Sequence, residues 1–336
     1  MEKSPVVSII MPLYNEEKFI EKTIKSILEN SYRLDRIELI IIDGMSTDNS
    51  LRIIKELTKD KLETKFFENK KRLVAFALNI GLKNASGEIF LRLDAHSKMN
   101  KDYIKNCVDY LVQGKADLVG GILVNEPYDN SILSKSIALA LTSPFGVGNA
   151  THRTGIETET KIVDAVPFGC FKRELVDSVG LFNEKVNRSE DIEFYNRVKA
   201  SGRKILLSSK IVVKYICNDS INMIKRYFRN GVDVTQYYFS EGVAAFKLRH
   251  LIPFFFLAGS VFAFLIKFIF SSSLFIYLIF VPYSILAFFF SVRIAIKSST
   301  YGVIPVAPLV FLTLHIVHGF GAIAGIFIGK FSKKGY

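Results

Sequence analysis

Three acidic positions in this chain have the residue types and surroundings that chemistry needs. Asp43 closes the apolar run Ile37 to Ile42, Asp94 closes Glu88 to Leu93, and Glu190-Asp191 follows Ser189 at the head of a helix-like stretch. A carboxylate at the rim of a buried strand can hold a hard divalent cation and leave coordination positions for phosphate oxygens, which stabilises a departing diphosphate. Asp94-Ala95-His96 offers such a place, with Asp94 as the principal ligand. A carboxylate at a helix start is oriented to take a hydroxyl proton as a bond forms, with the helix dipole holding its pKa low. Each acid taken singly has a plainer use. Asp43-Gly44 makes a turn, Asp94 ends a strand, and Ser189 caps a helix whose first acids complement its dipole. Their joint order on one α/β pattern favours a site.

That pattern is a regular alternation. Val6 to Met11 and Ile37 to Ile42 are continuous apolar runs of the kind buried on both faces of a parallel sheet. Phe66-Phe67 and Glu88 to Leu93 supply two further strands. Helical spacing separates them at Glu16 to Leu28, from a Ser46 or Thr47 cap to Leu57, and at Arg72 to Leu82. This order predicts a doubly wound, mostly parallel sheet with ligands at the carboxyl ends of its strands. Asp102 to Leu111 reads as a helix, Leu118 to Val124 and Ile162 to Val166 as strands, and Glu190 to Ala200 as a helix ended by Gly202. Thr142 to Thr160, rich in Gly, Thr and charge, reads as a functional or mobile loop.

Charge divides the chain sharply. It has 336 residues and a net charge of +12, yet all 32 acids lie before Leu251. Six basic residues and no acid follow that point, so the excess is no footprint for nucleic acid. It suits a domain lying against anionic lipid, at about 1 kcal/mol per well-placed basic residue. Leu251 to Phe270, Leu274 to Val292 and Val303 to Gly329 are apolar enough to span a bilayer, giving two or three spans. Ser220 to Ser240 mixes Ile221, Ile224, Tyr227, Phe228 and Tyr238 with Lys225, Arg226 and Arg229, as an amphipathic interfacial helix does. The expected division is therefore 1–218 catalytic, 219–250 connector and 251–336 membrane. The first part and the Arg293–Lys297 loop would face the cytoplasm of a multi-pass cell-membrane protein. Three full spans would then place the basic tail from Lys330 outside, against the positive-inside rule, so either the third segment re-enters or the first lies in the interface. No signal peptide is expected before Val6, and Cys107, Cys170 and Cys217 have no metal or redox spacing.

With these residues in place, the chain resembles family-2 glycosyltransferases of the GT-A fold. Val7-Ser8-Ile9-Ile10-Met11-Pro12-Leu13-Tyr14-Asn15-Glu16 looks like that family's first strand and nucleotide loop. Ile41-Ile42-Asp43-Gly44-Met45-Ser46-Thr47-Asp48 looks like its second signature, where the aspartate reads the base. Ala77-Leu78-Asn79-Ile80-Gly81 and Ala85-Ser86-Gly87-Glu88 match the approach to the metal strand. Asp94-Ala95-His96 stands at the family's Asp-x-Asp, and Glu190-Asp191 at its Glu-Asp pair. The His96 variant with an apolar tail is similar to the bacterial exopolysaccharide branch that makes succinoglycan. Asp164 to Phe171 resembles the acceptor-side segment, and Arg226 to Gly231 the basic element after the catalytic helix.

The resemblance implies an inverting transfer of one sugar from a nucleotide-sugar donor to a membrane-associated, polyprenyl-linked acceptor in cell-surface polysaccharide synthesis. Pro12, Tyr14, Glu16, Asp43, Asn79 and Asp94 would bind the donor. Asp94 and His96 would hold Mn²⁺ or Mg²⁺, Asp191 would act as base, and Arg226 and Arg229 would meet acceptor phosphate. With no Trp in the chain, the Gln-x-x-Arg-Trp of processive synthases is lacking. Two alternatives stand beside this: transfer to a polyprenyl phosphate, as dolichyl-phosphate mannosyltransferases perform it, and a non-catalytic membrane scaffold. No Gly-x-Gly-x-x-Gly follows the first strand, which argues against a dinucleotide dehydrogenase. His152 and Arg153 could meet a diphosphate or stay solvated. His315 and His318, three apart on an apolar segment, suit interhelical hydrogen bonding or a lipid headgroup.

Overall fold

The computed structural model describes residues 4–148, 150–186, 190–217, 219–241 and 251–332, with side chains at 237–241 and 329–332 excepted. Its elements run β1 (Val7–Leu13), α1 (Ile20–Leu28), β2 (Ile37–Asp43), α2 (Ser50–Thr58), β3 (Glu63–Glu68), α3 (Val74–Asn84), β4 (Ile89–Arg92), β5 (Ser97–Met99), α4 (Tyr103–Val112) and β6 (Leu118–Glu126). There follow α5 (Ile132–Ala140), α6 (Pro144–Val147), α7 (Thr151–Thr154), β7 (Thr160–Ile162), β8 (Cys170–Lys172), α8 (Arg173–Val179), α9 (Glu190–Ala200) and β9 (Ile205–Ile216). The chain closes with α10 (Ser220–Glu241), α11 (Ile252–Phe270), α12 (Leu274–Ser298) and α13 (Ala307–Ser332). These form two compact units, Met1–Val124 with Gly155–Tyr215, and Asn125–Thr154 with Ile216–Tyr336.

The first unit holds a mixed sheet. Its order is β3-β2-β1-β4-β8-β6-β9-β5, with β7 beside β9. The first four strands are parallel, as the alternating pattern predicts. β8 pairs antiparallel with both β4 and β6, and β9 antiparallel with β5 and β7. Alternation along β1 and β2 sends Ile9, Met11, Leu39 and Ile41 to one face, under α1 and α4. Ile10, Ile40, Ile42 and Phe90 go to the other, where Leu78, Leu82, Phe194 and Val198 cover them. Two apolar faces on one sheet require two helical layers, which is the physical content of a doubly wound fold. Glu38 interrupts this second face, at 1% exposure. It is held by the Ser8 hydroxyl at 2.5 Å, the Ser86 amide at 2.9 Å and the Lys65 ammonium.

Several local expectations are corrected. α2 begins at Ser50, not at a Ser46 or Thr47 cap, because the Ser46 hydroxyl is bound to Asp43. Arg72 precedes α3, with φ of 57°. The strand expected over Ile162 to Val166 is β7, ending at Ile162. β5 and the twelve-residue β9 were not read from the pattern. In β9, Lys210 and Lys214 are exposed while Ile211, Val213 and Tyr215 are buried, so its alternation is real but starts after a Ser-Ser pair.

In the second unit α11, α12 and 22 residues of α13 are each long and apolar enough to cross a membrane. At 1.5 Å per residue, the 19 residues of α11 reach about 28 Å, near the thickness of a hydrocarbon core. The segment expected as a loop from Thr142 to Thr160 contributes α6 and α7 instead. Phe145 of α6 packs among Tyr283, Phe290 and Phe311, with ring centroids at 5.4, 5.2 and 5.1 Å. His315 donates through Nε2 to the Phe145 carbonyl at 2.9 Å, so its Nδ1 accepts from the Tyr283 hydroxyl at 2.9 Å. Interhelical hydrogen bonding is therefore what His315 does. α10 packs lengthwise on α13 through small residues, and Thr235 donates to the Ala322 carbonyl at 3.0 Å. Its outer stripe of Ile221, Ile224 and Phe228, beside Lys225 and Arg229, is exposed. Residues 125–154 belong to the same compact unit as α10 to α13; 242–250 lie outside the described residues.

Candidate functional site

Parallel register brings the carboxyl ends of β1, β2 and β4 to one edge. Leu13 is paired with Asp43, and Asp43 with Glu68. The Gly44 amide donates to the Leu13 carbonyl at 2.7 Å, and the Asn69 amide to the Asp43 carbonyl at 2.7 Å. The loops after three strands are thereby tied into one platform. Asn15 and Met45 sit in the left-handed region, at φ of 53° and 64°. Asn15 joins its loop to the next, donating from its amide to Ser46 Oγ at 3.0 Å and accepting from the Thr47 amide at 2.8 Å.

On this platform Tyr14 is 46% exposed, and the Arg72 guanidinium lies 4.5 Å from its ring centre. Arg72 Nε donates to the Gly44 carbonyl at 2.9 Å, which fixes the stack. An aromatic face with a guanidinium beside a buried carboxylate offers stacking and hydrogen bonding to a planar heterocycle. Asp43 is that carboxylate, 7% exposed, accepting from the Ser46 hydroxyl at 2.6 Å and amide at 3.1 Å. The turn role and a binding role coexist, because a carboxylate has about four acceptor positions. Pro12 lies beside it in β1, paired with Ile42. Arg72 was missed in the sequence because a lone cation in a polar loop carries no signal.

The acidic centre is built on a second guanidinium. Phe90 belongs to the sheet face covered by α9, so Arg92 and Asp94, two and four residues on, project the same way. Arg92 Nη1 donates to Glu190 Oε1 at 2.8 Å and Nε to Asp94 Oδ1 at 3.3 Å. Asp191, next along, accepts from the Ile192 amide at 2.8 Å. Burial, and then the neighbouring Glu190 charge, push the Asp191 carboxyl above its ordinary 3.8, against the pull of Arg92. The helix dipole was expected to hold it low; burial wins. Ser189 lies outside the described residues.

Two expected contacts are spent elsewhere. His96 has Glu16 Oε1 at 2.9 Å from Nδ1 and the Tyr215 hydroxyl at 2.7 Å from Nε2. Burial would lower its pKa, but the Tyr215 oxygen, Glu16 and Asp94 outweigh that and push it up to about 10. With both ring nitrogens engaged, His96 ties the turn after β4 to Glu16 and to Tyr215 of β9. Asn79 is 3% exposed; its amide nitrogen donates to the Phe182 carbonyl and Glu184, both at 2.9 Å, and its oxygen accepts from the Phe182 amide at 2.9 Å. It pins the loop before α9. Arg226 and Arg229 are on α10, in the second unit, as are His152 and Arg153.

Among the described residues there is no group of three or more His, Cys, Asp and Glu fit to hold a metal. Asp94, with a side chain 23% exposed at the strand end, fits a cation that brings most of its ligands with it. Mg²⁺ and Mn²⁺ at phosphate sites are bound in that way, by one or two carboxylates plus phosphate and water oxygens.

The mixed α/β sheet is that of the GT-A glycosyltransferases. The sequence matches glycosyl transferase family 2 over residues 8–179, and the chain belongs to that family. A Methanococcus voltae protein is 28% identical over 98% of this chain and 99% of its own length. It is the dolichyl N-acetyl-alpha-D-glucosaminyl phosphate 3-beta-D-2,3-diacetamido-2,3-dideoxy-beta-D-glucuronosyltransferase. The succinoglycan biosynthesis protein ExoA of Rhizobium meliloti is 27% identical over 62% of each chain. The mannosyltransferase PcManGT of Pyrobaculum calidifontis, solved with GDP-Man and Mn²⁺, has the same fold at a TM-score of 0.66 and 19% identity, over 97% of this chain and 88% of that one.

Proposed function

We propose that this glycosyltransferase moves a single sugar, with inversion, from a nucleotide-sugar to a hydroxyl of a polyprenyl-linked acceptor at a membrane. The observation that carries the reading is the pairing, through Arg92, of a strand-end acid with a helix-start acid pair. Tyr14, Arg72, Asp43 and Pro12 would hold the nucleoside. Asp94 would hold Mn²⁺ or Mg²⁺, whose charge would stabilise the departing diphosphate. Asp191, its proton affinity raised, would accept the acceptor hydroxyl proton, a step worth about 10²–10⁴-fold.

The acceptor class follows the Methanococcus relative, whose name specifies a dolichyl-linked sugar phosphate, and the three apolar helices. Residues 1–218 would be the cytoplasmic catalytic part, 219–250 an interfacial connector, and 251–336 the membrane part. Arg226 and Arg229 would meet acceptor phosphate.

The test is donor turnover by detergent-solubilised protein with UDP-, GDP- and dTDP-sugars, with and without Mn²⁺, beside Asp94→Ala and Asp191→Asn. Metal-dependent turnover of one donor, lost in both variants, is expected. Full activity in Asp191→Asn would point to a phosphate acceptor that needs no base, and an absence of nucleotide binding to a scaffold.

A further inference from the structure

We infer that Arg92 is a positioning residue for the transfer, setting the strand-end carboxylate Asp94 and the helix-start pair Glu190-Asp191 in one fixed arrangement. The inference rests on the proposed function and assigns that site a residue which neither the motifs nor the family match single out.

Arg92 stands in an otherwise buried strand, after Phe90 and Leu91, and its side chain is only 18% exposed. A guanidinium taken out of water is costly unless carboxylates compensate it, and an apolar residue there would serve stability as well or better. Nor is the charge needed to dock α9. Phe194, Tyr195 and Val198 are at most 3% exposed, and Phe194 stacks on Phe182 at 4.5 Å and packs on Phe171 at 5.4 Å. The cost of burying Arg92 therefore has to be explained by the site.

The guanidinium fork explains it. Nη1 reaches Glu190 at 2.8 Å while Nε reaches Asp94 at 3.3 Å, so one rigid plane spans acids that lie far apart in the chain. Glu190, at 7% exposure, is thereby fixed as the structural anion. Asp191 stays beside it as the reactive carboxylate, accepting from the Ile192 amide at 2.8 Å. The two acids then keep their separation whether or not a donor is present, as preorganised catalysis requires.

The experiment compares Arg92→Met, Arg92→Lys and Arg92→Met combined with Glu190→Gln in full-length protein, using the nucleotide-sugar that the wild type turns over. Arg92→Met is expected to lower kcat by about 100-fold or more with donor KM within about threefold, the pattern of lost transition-state geometry. Arg92→Lys keeps the charge without the fork and should recover roughly a tenth of wild-type kcat. Glu190→Gln removes the stranded anion and should raise the Met variant's kcat by about tenfold. If Arg92→Met does not fold, the Lys variant carries the test: a melting temperature near wild type with kcat down about tenfold supports the role. Wild-type kcat in Arg92→Met or Arg92→Lys, a loss confined to KM, or no gain from Glu190→Gln overturns the inference while leaving the transferase reading intact. A wild type that turns over no nucleotide-sugar defeats both.

Discussion

Replacing Gly321 by Ala should loosen the seam between α10 and α13, although Ala is the better helix former. A Cβ at Gly321 would lie 2.0 Å from the Phe228 carbonyl oxygen and 3.2 Å from the Gly231 Cα. Both are backbone, so no rotamer change relieves the contact. The helices must part by about 1 Å before the carbon and oxygen reach a tolerable distance, and a gap of that size forfeits a quarter to a half of each dispersion contact. The 3.0 Å bond from Thr235 to the Ala322 carbonyl crosses the same seam and would be lost. Overpacking costs about 1–3 kcal/mol and the hydrogen bond about 0.5–1.5, against a propensity gain of about 1. The net loss is on the order of 1–3 kcal/mol, or roughly 3–10 °C in melting temperature.

Gly259→Ala on α11 is the internal control. Its Cβ would meet only Ile279 Cδ1, at 3.5 Å, an ordinary contact. The same substitution should there be neutral or raise stability by up to about 1 kcal/mol. The assay is thermal unfolding in detergent followed by circular dichroism at 222 nm, since the chain has no Trp to report on it. Opposite signs for the two variants are expected. A Gly321→Ala protein that melts at or above Gly259→Ala would refute the close packing of α10 on α13.

Three further outcomes follow from the first unit. Asn79→Ala should lower stability by about 1–3 kcal/mol, read by thermal melting, and leave donor KM unchanged; the reverse pattern would make Asn79 a donor contact after all. His96→Gln should leave the Mn²⁺ concentration for half-maximal activity within about threefold, whereas a rise of tenfold or more would restore His96 as a ligand. Glu38 gives a pH signature. Burial raises its pKa, but Lys65, Ser8 and Ser86 outweigh that and hold it below 4.5. A depressed acid stabilises the fold above its unfolded pKa and loses that contribution as pH falls through the folded value. Stability should therefore drop as pH goes below about 4.5, and Glu38→Gln should flatten that drop in acid-unfolding curves while lowering stability at pH 7.

The parallel half of the fold was legible because Val7 to Leu13 and Ile37 to Asp43 are apolar on both faces, and few structures but an inner parallel strand bury such a run. β5 was not, at three residues; nor was β9, whose Ser208-Ser209 pair breaks its alternation. The Thr142 to Thr160 segment misled for a related reason. Its Gly and Thr content is that of a loop, but Phe145 owes its place to Tyr283, Phe290 and Phe311, which lie far away in sequence. Local composition cannot express a contact whose partner is more than a hundred residues distant.

The same limit sorts the site residues, and it does so by hydrogen-bonding capacity. Strand ends and a helix start pointed to Asp94 and Asp191, and the family resemblance added Glu16, Asn79 and His96. Asn79 is bonded to Phe182 and Glu184, and His96 to Glu16 and Tyr215, so both also maintain shape. Asp94 accepts from Arg92, and Asp191 from the Ile192 amide at the helix start. Arg92 distinguishes the two acids of the Glu-Asp pair, since it clamps Glu190 at 2.8 Å while Asp191, whose carboxyl is made more basic by burial, sits on the Ile192 amide. No motif contains that information, because it depends on which side chain of an apolar strand is the one that is charged.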